Sequence, residues 1–289
     1  VERITGLALH PTAHLRRRLA MILRHFAVLR TPRISSARRT LRPAITFLLG
    51  TLLLAAAPLH AQTTGKGFFF KQPAASLTLR GGFALGGFGG DSSIYAFTRR
   101  ELTLGRGAYH APSFGADLSI RLRPTLDLVL GAALAGSSRK SEMRDWVDQD
   151  DHPIEQTTSL KRVPLTASLK AYVTPRGRSI GQFAWIPARY AAYVGAGGGT
   201  MWYRFRQQGD FVDFNSPSLR VFSNTYSSSR WTPTAHVLAG VDRSLNTRLA
   251  LTTEARYTWA KTEMGDDFRG FDRINLSGFS TTVGLNIRF

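Results

Sequence analysis

Residues Ile274–Phe289 read I-N-L-S-G-F-S-T-T-V-G-L-N-I-R-F, and no other stretch limits the fold as tightly. Taken every second residue back from the end, Phe289, Ile287, Leu285, Val283, Thr281 and Phe279 form a row that is apolar but for the threonine. Arg288, Asn286, Gly284, Thr282, Ser280 and Gly278 form the other row, polar or tiny throughout. A period of two belongs to an extended strand with one apolar and one wet face. The pattern runs to the final aromatic residue, whereas the last residues of a water-soluble domain usually fray.

The same alternation recurs upstream, in Ser76–Gly86, Ser113–Arg123, Leu126–Gly136, Lys161–Val173, Tyr190–Arg206, Arg230–Asp242 and Leu249–Ala260. With the terminal segment this predicts eight antiparallel strands, mostly of about 10–13 residues, close to the ~9–11 that cross a bilayer obliquely. In the second strand Phe114, Ala116, Leu118, Ile120 and Leu122 alternate with Asp117, Ser119 and Arg121. In the seventh, Leu249, Leu251, Thr253, Ala255, Tyr257 and Trp259 alternate with Thr252, Glu254 and Arg256. The fifth is the least regular, because Gly195, Gly197 and Gly199 interrupt an odd row that holds Tyr193, Met201, Tyr203 and Phe205. Glycine in a strand marks a bend or a close approach. Long polar connections (87–112, Ser137–Ser159, Gln207–Ser229, Lys261–Arg273) alternate with the short turns Arg123–Thr125 and Asp242–Thr247 and the intermediate Thr174–Arg189. Long loops on one side and short turns on the other are the layout of an up-and-down barrel in a membrane.

A soluble barrel or sandwich would turn the apolar rows inward, and a membrane barrel turns them out. Aromatic placement favours the membrane. Trp231, Trp259, Tyr203 and Tyr257 fall at the outer ends of three strands on the apolar row, with Tyr193 and Phe289 at the opposite ends of theirs. Amphipathic aromatics in two belts mark the two membrane interfaces. The polar rows then face a lumen about wide enough for its own side chains. Arg80, Asp117, Arg121, Asp127, Lys170, Arg204, Asp242, Glu254 and Arg256 are expected to share it as an ion-paired plug.

Cysteine is absent from the 289 residues, which excludes a disulfide framework, a thiolate metal site and a lipoprotein anchor. The net charge of +19 raises the question of nucleic acid. Residues 1–61 hold ten Arg against one acid, and residues 62–289 hold 28 basic and 18 acidic groups scattered singly. No basic stripe interleaved with aromatics lies in that larger part, so nucleic acid is not an expected partner. Arg38, Arg39 and Arg42, the mostly apolar run Ala44–Ala57 and the sequence Pro58-Leu59-His60-Ala61 give residues 38–61 the layout of a secretory signal peptide. Cleavage is expected after Ala61, with Ala57 as the alternative. The Arg-rich residues 1–37 precede that signal and are expected to be non-structural; residues 62–289 are the mature chain.

Leader, eight alternating strands and terminal Phe together resemble the small outer-membrane β-barrels of the opacity-protein and OmpA/OmpX type, over residues 76–289. The resemblance implies that Phe279, Val283, Leu285, Ile287 and Phe289 are read by the outer-membrane assembly machinery. It also implies outer-membrane lipid and lipopolysaccharide as surroundings. The role it implies is structural or surface-interacting, in adhesion or envelope integrity, with host or neighbouring-cell surface ligands as candidates for the loops. A narrow porin-like channel for small or apolar solutes is the alternative, and a lipid-modifying enzyme the third reading.

Catalytic signals are sparse, and no enzyme activity or cofactor is expected. A nucleophile needs a base within reach, and lumen-facing His236 has no Ser near it on its own strand. His110 and His152 lie in outer loops. Asp148, Asp150 and Asp151, and the pair Asp266-Asp267, offer the hard oxygens that suit Ca²⁺ or Mg²⁺, without calcium-loop spacing. No metal site is assigned.

Overall fold

The computed structural model describes residues 68–86, 93–181, 183–213 and 220–289. The extension 1–37 and the signal peptide 38–61 lie outside the described residues. The elements are β1 (Ala75–Gly86), α1 (Ser93–Glu101), β2 (Ala111–Arg123), β3 (Leu126–Val147), β4 (Pro153–Tyr172), β5 (Gly177–Ile180), β6 (Ala184–Pro187), β7 (Tyr190–Val212), β8 (Val221–Ser244), β9 (Leu249–Trp259), β10 (Lys261–Thr262), β11 (Ile274–Asn275) and β12 (Gly278–Arg288). Eight of them close an antiparallel barrel in the order β1-β12-β9-β8-β7-β4-β3-β2. The seam runs from Ser76 opposite Arg288 to Gly86 opposite Gly278. Beyond it the Phe289 amide donates to Ala75 O at 3.0 Å, and Phe289 O accepts from Ala74 and Ala75 at 3.1 Å each. These bonds hold the last residue in the sheet.

Period-two patterning decides which face of seven strands points out. Leu79, Phe83, Phe114, Leu134, Leu165, Leu169, Val237, Leu251, Val283 and Leu285 are all exposed around the outside. Water would penalise so continuous an apolar belt, and hydrocarbon does not. Trp231 and Trp259 stand exposed at its outer edge, with Trp202 directly across from Trp231. Phe289 and Tyr190 stand exposed at its inner edge. Tyr190 lies under two guanidiniums, Arg189 at 5.5 Å and Arg243 at 6.0 Å from the ring centroid.

The fifth predicted strand, now β7, is turned the other way from the sequence expectation. Its odd row faces the lumen: Tyr193, Met201, Tyr203 and Phe205 are buried, while Val194 and Arg204 are exposed. Tyr193 and Tyr203 are therefore not belt residues, and Arg204 is not a lumen residue. The glycines supply the reason. Gly195, Gly197 and Gly199 lie opposite Lys170, Ser168 and Thr166 of β4 and opposite Leu238, His236 and Thr234 of β8. In a lumen packed with long side chains the smallest row goes inside. On β8, a Cβ at Gly240 would collide with the Tyr193 hydroxyl.

The outer half of the barrel is taller than expected. β3, β4, β7 and β8 run 22, 20, 23 and 24 residues, so much of the loops predicted at 137–159 and 207–229 is paired strand. Pairing continues to Glu142 opposite Glu155 and to Val212 opposite Val221. Above the membrane both faces of a strand can be polar, so hydrophobic alternation vanishes while backbone pairing persists. The eighth predicted strand is broken instead: Ile274–Asn275 pairs with Lys261–Thr262, and the barrel strand starts at Gly278. At the break Ser277 Oγ accepts the Ala260 amide at 3.0 Å.

Candidate functional site in the lumen and at its outer mouth

The lumen is filled in layers. Nearest the short-turn end Arg176 Nη1 meets Asp127 Oδ1 at 2.8 Å. Next, Asp242 receives Lys170 Nζ at 3.3 Å, the Tyr172 hydroxyl at 2.9 Å and Thr252 Oγ1 at 2.8 Å. Lys170 Nζ also sits 3.5 Å from the centroid of the Tyr193 ring, a cation over an aromatic face. The Tyr193 hydroxyl in turn donates to Glu254 at 3.3 Å. Above that, Arg256 holds Glu254 Oε1 through Nη2 at 2.9 Å and Nε at 3.1 Å. Arg80 grips Asp117 through Nη2 at 3.1 Å; its Nε comes within 2.6 Å of the other oxygen as a charge contact, off hydrogen-bond alignment. Buried charges persist where they are paired and hydrogen-bonded in this way.

Seven of the nine expected lumen charges are in this network: Arg80, Asp117, Asp127, Lys170, Asp242, Glu254 and Arg256. Arg121 pairs with no acid among the described residues; it donates to the Gln72 carbonyl at the short-turn end of the barrel. Arg204 points outward and lies 5.1 Å from the Trp202 ring. The sequence does not disclose Arg176, which lies in a connection with no period, or Tyr193, whose ring reads as lipid-facing, and it leaves Tyr172 unassigned. Tyr172 was within reach, since it continues the polar row of Ser168 and Lys170.

Folding also brings to His236 a serine from another strand, where its own strand places none near it. Ser168 Oγ on β4 and His236 Nε2 on β8 are 2.7 Å apart. Both are buried, and His236 Nδ1 has no hydrogen-bond partner among the described residues. The bond links β4 to β8 over Gly197, which lies opposite both residues on the intervening β7.

The outer mouth is closed by side chains the polar loops concealed. α1 buries Ile94, Tyr95 and Thr98, and Leu102 lies buried one turn on. Arg99 and Arg100 occupy the helix C-terminal turn, where cations suit its dipole. Ile94 and Tyr95 pack with Tyr109, Leu160, Met201, Tyr203, Phe205, Phe268, Ile274 and Leu276 into one apolar cluster. Fully burying such a side chain is worth roughly 1.5–3 kcal/mol. Polar clamps fix the cap: Thr98 Oγ1 to the Tyr109 hydroxyl at 2.7 Å, Tyr203 hydroxyl to Ser228 Oγ at 2.8 Å, and the Asp272 amide to Ser93 Oγ at 2.7 Å. Burial pushes the Tyr109 phenol up to about 12, so it stays protonated in this bond.

At the tip of the β3–β4 hairpin the side chains of Asp148, Asp150 and His152 converge within 4.8 Å. The amides of Asp150 and His152 donate to Asp148 Oδ1 at 2.9 and 2.8 Å. The bond from His152 is foremost in holding the Asp148 carboxyl below its ordinary value. Those bonds already account for the convergence. Asp266 pairs with Arg269 at 3.0 Å and Asp267 accepts the Ser227 amide at 2.9 Å, so neither is set aside for a cation. His110 closes a 3₁₀ turn through its own amide.

Fold and lumen define an eight-stranded transmembrane β-barrel of the small outer-membrane type. No family model and no curated protein sequence matches the chain. Among solved structures it is similar to Neisserial surface protein A, at 12% identity and a TM-score of 0.42, over 76% of this chain and 99% of that one. It is also similar to the outer membrane protein OprG from Pseudomonas aeruginosa, at 15% identity and a TM-score of 0.39, over 76% and 99%. A third likeness is to the attachment invasion locus protein Ail of Yersinia pestis, solved with the heparin analogue sucrose octasulfate, at 11% identity and a TM-score of 0.34, over 74% and 99%. Likenesses of this size carry nothing about activity or ligand, and the class rests on the barrel's own geometry.

Proposed function

We propose that the protein is a non-conducting outer-membrane barrel whose working surface is the tall extracellular wall and its cap, in adhesion or envelope integrity. Closure of the lumen at two levels carries this reading: ion pairs below and an apolar cluster above. Two lumen cavities among the described residues have volumes of about 10 and 60 Å³, room for a few waters at roughly 10–15 Å³ each. Residues 38–61 act as a cleaved signal peptide, and the terminal apolar row ending in Phe289 serves recognition by the assembly machinery. The buried Ser168–His236 pair supports a non-enzymatic role.

The outside of the wall supports contact with lipid phosphates. Lys161 lies directly opposite Arg204, with Arg206 two residues further on and Ser227 and Ser229 beside them on β8. All three cations are exposed and have no carboxylate partner among the described residues. Like charges across a strand pair repel, and these sit just above the Trp202–Trp231 edge, at the height of lipopolysaccharide headgroups. Planar-bilayer recording of the refolded barrel tests the main reading. Wild type is expected to show no steady current, and Phe205→Ala with Phe268→Ala only brief openings. A large, steady wild-type conductance refutes a closed lumen.

A further inference from the structure

Arg162 on β4 faces the lumen between the ion-pair layer and the apolar cap, opposite Tyr203 of β7. It is 6% exposed, and its Nη2 has no hydrogen-bond partner among the described residues. No carboxylate of the described residues comes within ion-pair distance of it. Its guanidinium is wedged between two backbone segments: a Cβ on Gly86 would lie 3.4 Å from Nη2, and one on Gly278 3.6 Å from Nη1. The head group is therefore held in place.

Arg162 lines the cavity of about 60 Å³ together with Arg80 and Arg256. The hydroxyl-bearing Ser113, Thr166 and Thr258 contribute to the wall, and no Asp or Glu does. Two of the three guanidiniums are neutralised, Arg80 by Asp117 and Arg256 by Glu254. The third leaves one positive charge over. Water can accept its N–H bonds but leaves the charge uncompensated, and an unpaired buried charge is strongly destabilising. One monovalent anion satisfies both requirements.

We propose that this cavity binds a single small inorganic anion of halide size, held chiefly by Arg162, with Arg80 and Arg256 lending field and the hydroxyls donating. Size excludes sugar acids. The site locks β4 to β1 and β12 across the seam, and it is independent of what the extracellular wall contacts.

The test uses the refolded mature barrel in detergent, with its thermal midpoint followed by heat-modifiable gel mobility. Sodium chloride is compared with sodium gluconate at matched ionic strength and pH, and chloride is then titrated. The midpoint is expected to rise by several degrees in chloride, to saturate with concentration and to rise likewise in bromide. Arg162→Met should stay folded and show equal midpoints in both salts. Equal wild-type midpoints in chloride and gluconate, or a chloride effect that persists in Arg162→Met, overturn the proposal. If Arg162→Met does not refold, wild-type crystals in sodium bromide decide. An anomalous peak within hydrogen-bond reach of the Arg162 guanidinium upholds the site, and its absence there overturns it.

Discussion

Asp242→Asn isolates the centre of the lumen network. Asp242 accepts from Lys170, Tyr172 and Thr252, and the Lys170 and Asp242 side chains are 7% and 4% exposed. Asparagine keeps nearly the same shape but a single oxygen: placed where Oδ2 stood it still accepts from Tyr172, while its amide NH2 donates to the Thr252 hydroxyl instead, so both contacts persist as neutral bonds worth about 0.5–1.5 kcal/mol each. The ammonium of Lys170 does not keep its counter-charge. Tyr193 offers it a ring face, which at ~0.5–2 kcal/mol does not replace a carboxylate. Breaking a buried pair from one side costs about 3–5 kcal/mol, so Asp242→Asn is expected near the lower end of that range. Lys170→Met with Asp242→Asn removes both charges and should recover most of the loss, giving a coupling well above the scatter of ~0.3–0.5 kcal/mol for independent sites. Urea titration of the barrel in phospholipid vesicles, read by tryptophan fluorescence and gel mobility, measures all four corners of the cycle. A single mutant as stable as wild type, or a double mutant whose loss equals the sum of the singles, refutes the buried pair.

Two further outcomes follow from the faces and the end of the chain. Val194→Arg on β7 and Thr253→Arg on β9 both put a charge against hydrocarbon and should each cost ~2–4 kcal/mol in lipid; a neutral Val194→Arg beside a costly Thr253→Arg would falsify the orientation of β7 alone. Phe289→Ala should reduce assembled protein in cells far more than refolding in vesicles, where one half-exposed ring contributes less than the ~1.5–3 kcal/mol of full burial; equal losses in both would make Phe289 a packing residue only.

Residue order alone determined the barrel, because crossing a bilayer imposes a strict period of two and a nearly fixed strand length on every strand. Leu249 to Trp259 and Phe279 to Phe289 could hardly have been placed otherwise, and Asp117, Lys170, Asp242 and Glu254 followed as lumen charges from the opposite row. The rule weakened where a row was neither apolar nor charged. On β7 the rings of Tyr193 and Tyr203 counted as lipid-facing, yet a tyrosine is apolar only until its hydroxyl finds a partner, and those partners, Glu254 and Ser228, lie on other strands. Only closure of the sheet could settle that the glycine row faces inward, because the space it vacates belongs to Lys170, Ser168 and His236. The same holds for Ser168 and His236, 68 residues apart in the chain, and for Arg162, whose want of a partner shows only when all eight strands surround it. Above the membrane the solvent stops enforcing alternation. There the extension of β3, β4, β7 and β8 and the burial of Tyr95, Phe205 and Phe268 depend on which backbones and side chains meet, and the tertiary structure alone decides that.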